Sequence, residues 1–160
     1  MDTPIYLHDI WSIYFHDPYD HNWDLSSYKF ISTISNVQDF VNVFYTFKEL
    51  FYKGMFFIMR EHITPRWEDE HNKEGGCFSY KLTKYVLEEK FFEICAQVLG
   101  ETFGKNEEHI HNINGISISP KKNYYIVRIW IKNNKYASKN NYHFNIPKFS
   151  TLMYKNHNEE

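Results

Sequence analysis

The chain has 160 residues and a mass of 19.5 kDa, which predicts one domain with a sizeable core and excludes a multidomain assembly. Charged residues interrupt every apolar stretch well before the roughly 18 residues that a membrane span needs. The first residues lack a basic start followed by an apolar stretch, so no secretory signal is visible and we expect a cytoplasmic or nuclear protein. Cys77 and Cys95 match neither a disulfide framework nor a metal-binding pair, and we expect reduced, partly buried thiols.

Charge is distributed unevenly along the chain, although the formal net charge is only −2. Residues 1–108 contain 10 Lys and Arg against 18 Asp and Glu, whereas residues 109–158 contain eight Lys and Arg and no carboxylate side chain. This distribution predicts a local anion site in the C-terminal third. Bulk binding of duplex nucleic acid is disfavoured, because the acidic remainder of the surface would repel it. A solvated lysine-rich edge is the alternative.

In the first part of the chain, the hydrophobic pattern predicts a strand, a turn, a second strand and a helix. Residues alternate from Leu7 to His16, which indicates a strand covered on both faces, and turn residues at 17–22 end it. A second strand is predicted over residues 25–33. Ser35 and Gln38 then have the spacing of a capping box, and apolar residues follow at helical spacing.

The later elements alternate between strands and one further helix. They are a strand at 55–63, a polar loop at 64–76, a strand at 77–82, a helix at 83–103, and a hairpin formed by residues 113–119 and 124–132. Successive strands pair without helical crossovers in at least two places. The pattern therefore favours an antiparallel α+β domain, with the helices on one face of the sheet.

Two tryptophans lie in loops, outside any apolar stripe. Trp67 stands directly before the acidic run Glu68-Asp69-Glu70 in the polar loop, and Trp23 follows the first turn. An acidic run in a loop is usually solvated, but an indole there is exposed and available to a ligand. Two loop indoles can stack on a planar cation, which gains roughly 1 to 3 kcal/mol per ring face by analogy with base stacking. The adjacent carboxylate can accept two in-plane N–H bonds from a guanine edge.

These residues make the sequence resemble the family of eukaryotic translation initiation factor 4E, the messenger-RNA cap-binding proteins, from about Leu7 to Trp130. The resemblance is carried by Trp11, Trp23, Val37-x-Asp39-Phe40, Pro65-x-Trp67-Glu68-Asp69-Glu70-x-Asn72-Lys73-x-Gly75-Gly76, Leu99-Gly100-Glu101-x-Phe103 and Ile129-Trp130. It implies a curved antiparallel sheet with helices on the convex face and 7-methylguanosine on the concave face.

The high Asn, Lys, Ile and Tyr usage is typical of an AT-rich genome, such as that of a large virus or a protist.

The resemblance implies a role for each residue of the base pocket. Trp23 and Trp67 would stack on the two faces of 7-methylguanine, and Glu68 would accept its N1 and N2 hydrogens. Trp130 would approach the N7 methyl group, with core packing as its alternative role. Methylation gives the base a positive charge, so the site is expected to prefer methylated over unmethylated guanine.

The phosphate subsite departs from the family pattern. Two positions that carry cations in the family correspond here to Ile126 and Ser119. Arg128 lies on the same strand face as Trp130 because of the two-residue side-chain period, and Lys121 and Lys122 occupy the turn. We expect Arg128, Lys121 and Lys122 to replace the missing cations, with a solvated edge as the alternative for the lysines.

The resemblance also implies a partner surface on the helices, where the family binds a tyrosine-containing helical motif of scaffold factor 4G and its competitors. The aligned residues here are Val37, Val41, Phe92, Glu93, Ala96 and Gly100. Val41 replaces the key tryptophan of the family, so scaffold binding is expected to be altered, and a wholly buried Phe92 is the alternative. The sequence leaves two functions open. The protein is either a translation initiation factor or a repressor that occupies the cap without engaging the scaffold.

An enzyme belongs to a different class of function. The sequence has no nucleophile elbow, no phosphate-cradling glycine loop and no histidines at a familiar metal-ligand spacing. Residues 68–70 could bind Mg²⁺ in a cap hydrolase, but no second acidic cluster is present to hold a metal at the phosphates. We expect no catalytic residues, metal or cofactor. We also expect a monomeric domain over residues 1–160, with no membrane contact and with disordered tails at 1–4 and 155–160.

Overall fold

The computed structural model describes residues 3–158, whose strands form one antiparallel sheet. The strands are β1 (Tyr6–His16), β2 (Lys29–Asn36), β3 (Met55–Arg60), β4 (Gly76–Leu82), β5 (Ile113–Pro120), β6 (Tyr125–Ile131) and β7 (Met153–Asn156). Their order in the sheet is β2-β1-β3-β5-β6-β4-β7. The helices are α1 (Val37–Phe47), α2 (Leu87–Leu99) and the short α3 (Glu107–His111). The predicted α+β class with a curved antiparallel sheet is confirmed.

The sheet is covered by α1 and α2 on its convex face. Apolar residues of the two helices, among them Phe44 and Phe91, pack with strand residues such as Phe56 and Ile58 in the main core. The intervening β3 residue Phe57 points to the opposite, concave face, because side chains alternate along a strand. A smaller apolar cluster lies there around Trp130, so both faces of the central strands are covered.

Helix α1 is capped by a different residue from the one that the sequence pattern predicts. The side-chain oxygen of Asn36 accepts the backbone N–H of Asp39 at 2.7 Å. Ser35 instead donates its backbone N–H and its hydroxyl to the Asp39 carboxylate, at 3.0 and 3.1 Å. The predicted capping box at Ser35 and Gln38 is therefore wrong by one residue. Asparagine and serine are comparable N-caps, so the sequence pattern alone does not choose between them.

Other element boundaries also differ from the prediction. The second strand begins at Lys29, because residues 25–27 form a 3₁₀ turn. Helix α2 is shorter than the predicted span of 83–103, and α3 was not predicted. These three differences occur where polar loop residues adjoin the element and hydrophobic periodicity gives a weak signal.

The C-terminal segment is ordered where a disordered tail was expected. Strand β7 pairs with the edge of β4, and Lys155 lies opposite Cys77. The predicted tail at 155–160 is therefore wrong for Lys155 and Asn156, since backbone hydrogen bonds to β4 hold them in the sheet. Residues 1–2 and 159–160 of the predicted tails lie outside the described residues.

Candidate functional site

A cavity of about 740 Å³ occupies the concave face. Its walls bring together Trp23, Trp67, Glu68 and Trp130, which the sequence analysis assigned to one base pocket. Trp23 comes from the loop after β1, Trp67 and Glu68 from the loop between β3 and β4, and Trp130 from β6. The structure thus places the four residues around one space, although they are up to 107 positions apart in sequence.

The two loop tryptophans each have an accessible ring surface. Trp23 is 46% exposed and Trp67 is 48% exposed, whereas Trp130 is only 7% exposed. The Trp23 ring stacks on His16, which is buried. Half-exposed indoles at the rim of a cavity have the chemistry needed to stack on a flat ligand.

The loop that carries Trp67 is held together by the carboxylate of Asp69. Its Oδ2 accepts the backbone N–H and the hydroxyl of Thr64 at 2.8 and 2.6 Å, and its Oδ1 accepts the backbone N–H of His71 at 2.8 Å. The ring Nδ1 of His71 lies 3.0 Å from the same Oδ1. Burial alone raises the pKa of the Asp69 carboxyl, but these hydrogen bonds outweigh burial and lower it to about 2. Asp69 is therefore bound within the loop, unlike its neighbour Glu68.

Two asparagines connect this loop to the sheet. Asn72 is fully buried and donates its side-chain N–H groups to the carbonyl oxygens of Thr64 and Arg66, at 3.1 and 2.8 Å. Asn114 of β5 donates in turn to the side-chain oxygen of Asn72 at 2.9 Å and to the carbonyl oxygen of His71 at 2.7 Å. These bonds fix the loop relative to the floor of the cavity.

Glu68 is the carboxylate of this loop that is available to a ligand. It is exposed at the cavity wall, and within residues 3–158 its carboxylate takes part in no hydrogen bond or ion pair. Its negative charge acts on two cavity residues: it contributes to the raised pKa of Tyr28, which is due mainly to burial, and it opposes the lowering of the pKa of His157 by burial. Glu68 therefore lies close enough to both residues for its charge to act within the cavity.

Trp130 forms part of the cavity floor. Its Nε1 donates to the hydroxyl of Ser117 at 3.1 Å, and its ring lies 6.3 Å from Phe57 and 5.4 Å from His157 between centroids. The residue is therefore packed as a core residue and also lines the cavity. Core packing, the alternative role for Trp130, is therefore observed, and the approach of its ring to a base stays a prediction.

Cationic side chains lie on the neighbouring part of the concave face. Arg128, Lys121 and Lys155 line the cavity beside the small residues Ser79 and Ser119. The guanidinium Nη1 of Arg128 donates to the hydroxyl oxygen of Ser119 at 3.5 Å. Within the described residues, none of the three cations forms an ion pair with a carboxylate. They are therefore available to an anion.

The structure separates Lys122 from the other predicted phosphate residues. Lys122 is exposed on the turn between β5 and β6 and is not among the residues that line the cavity. Adjacent side chains in this turn point in different directions, which the two-residue sequence Lys121-Lys122 cannot reveal. The structure thus gives Lys122 the alternative role of a solvated lysine.

Sequence reasoning missed the contribution of the C-terminal strand. Lys155 and His157 line the cavity because β7 pairs with β4 and extends the concave face. The basic character of residues 109–158 already included Lys155, but no local signal indicated where this lysine would lie. Tyr28 and Phe57 were also missed, and they complete the aromatic wall between Trp23 and Trp130.

The predicted partner residues do not all lie together. A second cavity of about 590 Å³ lies between α1 and α2 and is lined by Val41 and Phe92, with Tyr45 and Tyr85 beside them. Phe92 is 40% exposed, so the alternative of a wholly buried residue is wrong. The other predicted partner residues, Val37, Glu93 and Gly100, lie outside this groove.

Neither a metal site nor a membrane span is found in the part of the chain that the structure describes. No cluster of three or more His, Cys, Asp or Glu side chains there is arranged to hold a metal ion. No helix of residues 3–158 has the length and hydrophobicity required to cross a bilayer. Cys77 and Cys95 are free and buried, and burial raises the pKa of the Cys77 thiol to about 12.

Comparisons with known proteins agree with the resemblance read from the sequence. A family profile described as "Eukaryotic initiation factor 4E" matches residues 6–160, and the chain belongs to this family. Eukaryotic translation initiation factor 4E of Candida albicans is 28% identical over 138 residues, which cover 79% of this chain and 64% of that protein. The homolog from Acanthamoeba polyphaga mimivirus is 34% identical over 64 residues, or 40% of this chain and 24% of that protein.

The chain thus spans less than two thirds of the length of these curated relatives.

Among solved structures, the complex of C. elegans eIF4E-3 with the 4E-binding protein Mextli and cap analog superposes with a TM-score of 0.79 at 20% identity. The superposition covers 97% of this chain and 94% of that chain. At this level of sequence identity, the structural similarity shows that the two chains share a fold.

We predict that Asp69 stabilises the Trp67 loop in a pH-dependent way. Its pKa is lowered in the folded chain, so its contribution is fully present above the ordinary value of 3.8 and is lost as the pH falls to about 2. Asp69→Asn should lower the free energy of unfolding at neutral pH, and its difference from the wild type should shrink below about pH 4. Urea unfolding at several pH values measures the free energy of unfolding and its dependence on pH, with the exposed neighbour Glu70→Gln as control. A difference that is independent of pH would contradict this role.

Proposed function

We propose that this protein binds the 7-methylguanosine 5′ cap of messenger RNA and acts in translation initiation, without catalysing a reaction. The observation that carries the proposal is one cavity with two half-exposed indoles and an unpaired carboxylate at its rim. Trp23 and Trp67 supply the indoles and Glu68 supplies the carboxylate. This combination suits a ligand that is flat, positively charged and edged with N–H donors.

Recognition of the base follows from the chemistry of these groups. A 7-methylguanine ring carries a positive charge, which the electron-rich faces of Trp23 and Trp67 attract. Glu68 accepts the N1 and N2 hydrogens in the plane of the base, and the Trp67 backbone N–H meets O6. Unmethylated guanine lacks the charge, so it binds more weakly. Trp130, in the cavity floor, approaches the N7 methyl group.

Recognition of the phosphates follows from the cations beside the base pocket. Arg128 binds phosphate oxygens bidentately, and Lys121 and Lys155 supply further positive charge. These three line the same cavity as the tryptophans, which supports a phosphate chain that continues from the base toward β7. Lys122, outside the cavity, contributes only long-range attraction.

The relatives support this function through what their names state. The Candida albicans protein is named a translation initiation factor, and the C. elegans structure contains a cap analog. The same C. elegans structure contains a 4E-binding protein. We therefore also propose that the groove between α1 and α2 binds a helical segment of scaffold factor 4G or of a related binding protein. A monomer in the cytoplasm fits this role.

The base pocket is tested with single variants of the acidic run. We expect Glu68→Gln to weaken binding of 7-methyl-GTP by about 10- to 100-fold, because hydrogen bonds to a charged acceptor are lost. Trp67→Ala should lose most of the affinity through the missing ring. Glu70→Gln, an exposed neighbour, should bind like the wild type. Quenching of tryptophan fluorescence measures all of them, and equal affinities of the wild type for 7-methyl-GTP and GTP would contradict the proposal.

The phosphate subsite is tested by the number of phosphates on the ligand. Arg128→Ala and Lys155→Ala should each weaken binding of 7-methyl-GTP by about tenfold and affect 7-methylguanosine little, because charge-assisted contacts to the phosphates are lost. Lys122→Ala serves as the matched control and should change affinity about twofold or less. Isothermal titration calorimetry with 7-methylguanosine, its monophosphate and its triphosphate separates the contribution of the base from that of the phosphates. A loss that is equal for all three ligands would refute the assignment.

The helical groove is tested with a peptide that carries the tyrosine-containing motif. We expect micromolar or tighter binding, and we expect Val41→Asp to weaken it about tenfold by placing a charge in an apolar contact. Thr46 is an exposed residue of α1 that does not line the groove, so Thr46→Asp should leave binding unchanged. If the peptide does not bind the wild type while the cap does, the alternative function of a cap-occupying repressor or decoy is favoured.

A further inference from the structure

The Trp23 ring rests on a buried histidine at the end of β1. The imidazole ring of His16 and the indole ring of Trp23 are parallel within 3°, and their centroids are 4.0 Å apart. His16 has no exposed surface and does not line the cavity, whereas Trp23 is half-exposed and does. The imidazole therefore covers one face of the indole, and the opposite face is left for a ligand.

His16 also connects the Trp23 loop to the sheet. Its Nε2 lies 2.8 Å from the carbonyl oxygen of Asn22, the residue before Trp23. The other side-chain hydrogen bonds of this loop are local. The side-chain oxygens of Asp17, Asp20 and Asn22 each accept the backbone N–H of the residue two positions later. Such turns shape a loop but do not orient it on the sheet. The orientation depends on His16 and on Tyr28, whose ring lies 4.9 Å from the imidazole.

The hydrogen bond also defines which nitrogen of the neutral imidazole carries the proton. A carbonyl oxygen can only accept, so Nε2 of His16 is the donor. Nδ1 is buried without a hydrogen-bond partner, so a second proton there would find no acceptor.

The side chains nearest His16 hold its ring without an ion pair. Met55 of β3 lies opposite it in the sheet, and burial raises the pKa of Tyr28 to about 12, which keeps that hydroxyl neutral. The carboxylate of Asp17, the next residue in the chain, accepts the backbone N–H of Tyr19. Within the described residues, no ion pair includes His16.

We propose that His16 is a positioning residue for the purine stack. Its ring holds the indole of Trp23 in the plane that the base stacks on, and its hydrogen bond to the carbonyl oxygen of Asn22 holds the loop that carries the indole. The inference rests on the proposed stacking of 7-methylguanine on Trp23.

The experiment compares His16→Ala, His16→Phe and His21→Ala in titrations with 7-methyl-GTP. Phenylalanine keeps a ring that can stack on the indole, and His21 is an exposed histidine of the same loop, which makes it a matched control. Near pH 7.5, we expect His16→Ala to bind about tenfold more weakly, His16→Phe within about threefold of the wild type, and His21→Ala unchanged.

Recovery of binding by phenylalanine separates support of the indole from a general loss of folding, because a ring behind Trp23 is what His16→Phe restores and His16→Ala lacks. Circular dichroism verifies that the variants are folded.

The outcomes distinguish this inference from the proposed function. A wild type that does not bind 7-methyl-GTP near pH 7.5 would refute the function itself, and this inference with it. If the wild type binds and His16→Ala binds equally well, the positioning role is overturned while the function stands. If His16→Phe is folded but binds 7-methyl-GTP tenfold or more weakly than the wild type, the positioning role of the ring is overturned, whether or not His16→Ala folds.

Discussion

The two-residue period of side chains along a β-strand gives the central sheet two chemically different faces. In β6, Val127 and Ile129 are fully buried toward the helices, whereas Arg128 and Trp130 belong to the cavity. A register shift of one residue would move the isoleucine into the cavity and the guanidinium into the core. Burial of the apolar face therefore decides which side chains of the strand can reach a ligand.

The rim of the cavity is built by loops, and each loop is ordered by polar contacts rather than by a core of its own. Asp69 and Asn72 bind the Trp67 loop through hydrogen bonds to its backbone, and His16 supports the Trp23 loop through a ring stack. A loop that is ordered before binding loses less conformational entropy when the ligand arrives. Both indoles can then contribute their stacking energy to affinity.

The charges of the cavity suit a ligand with two different ends. Glu68 lies beside the exposed indoles, and Arg128, Lys121 and Lys155 lie on the strands and the turn nearby. A positively charged base with a polyphosphate chain matches this arrangement, because each end meets the opposite charge. The acidic N-terminal part of the chain and its basic C-terminal third meet at this one cavity through the pairing of β4 with β6 and β7.

The sequence by itself determined the features that depend on neighbouring residues. Hydrophobic periodicity gave the fold class and most strands and helices, and the pair Trp67-Glu68 in a polar loop indicated a stacking site with an acidic edge. Only the tertiary structure decided that Lys155 joins the cavity and that His16 lies behind Trp23. Strand pairing and ring stacking join residues from separate elements, and their partners are chosen by the packing of the whole sheet. No local pattern of residue types encodes that choice.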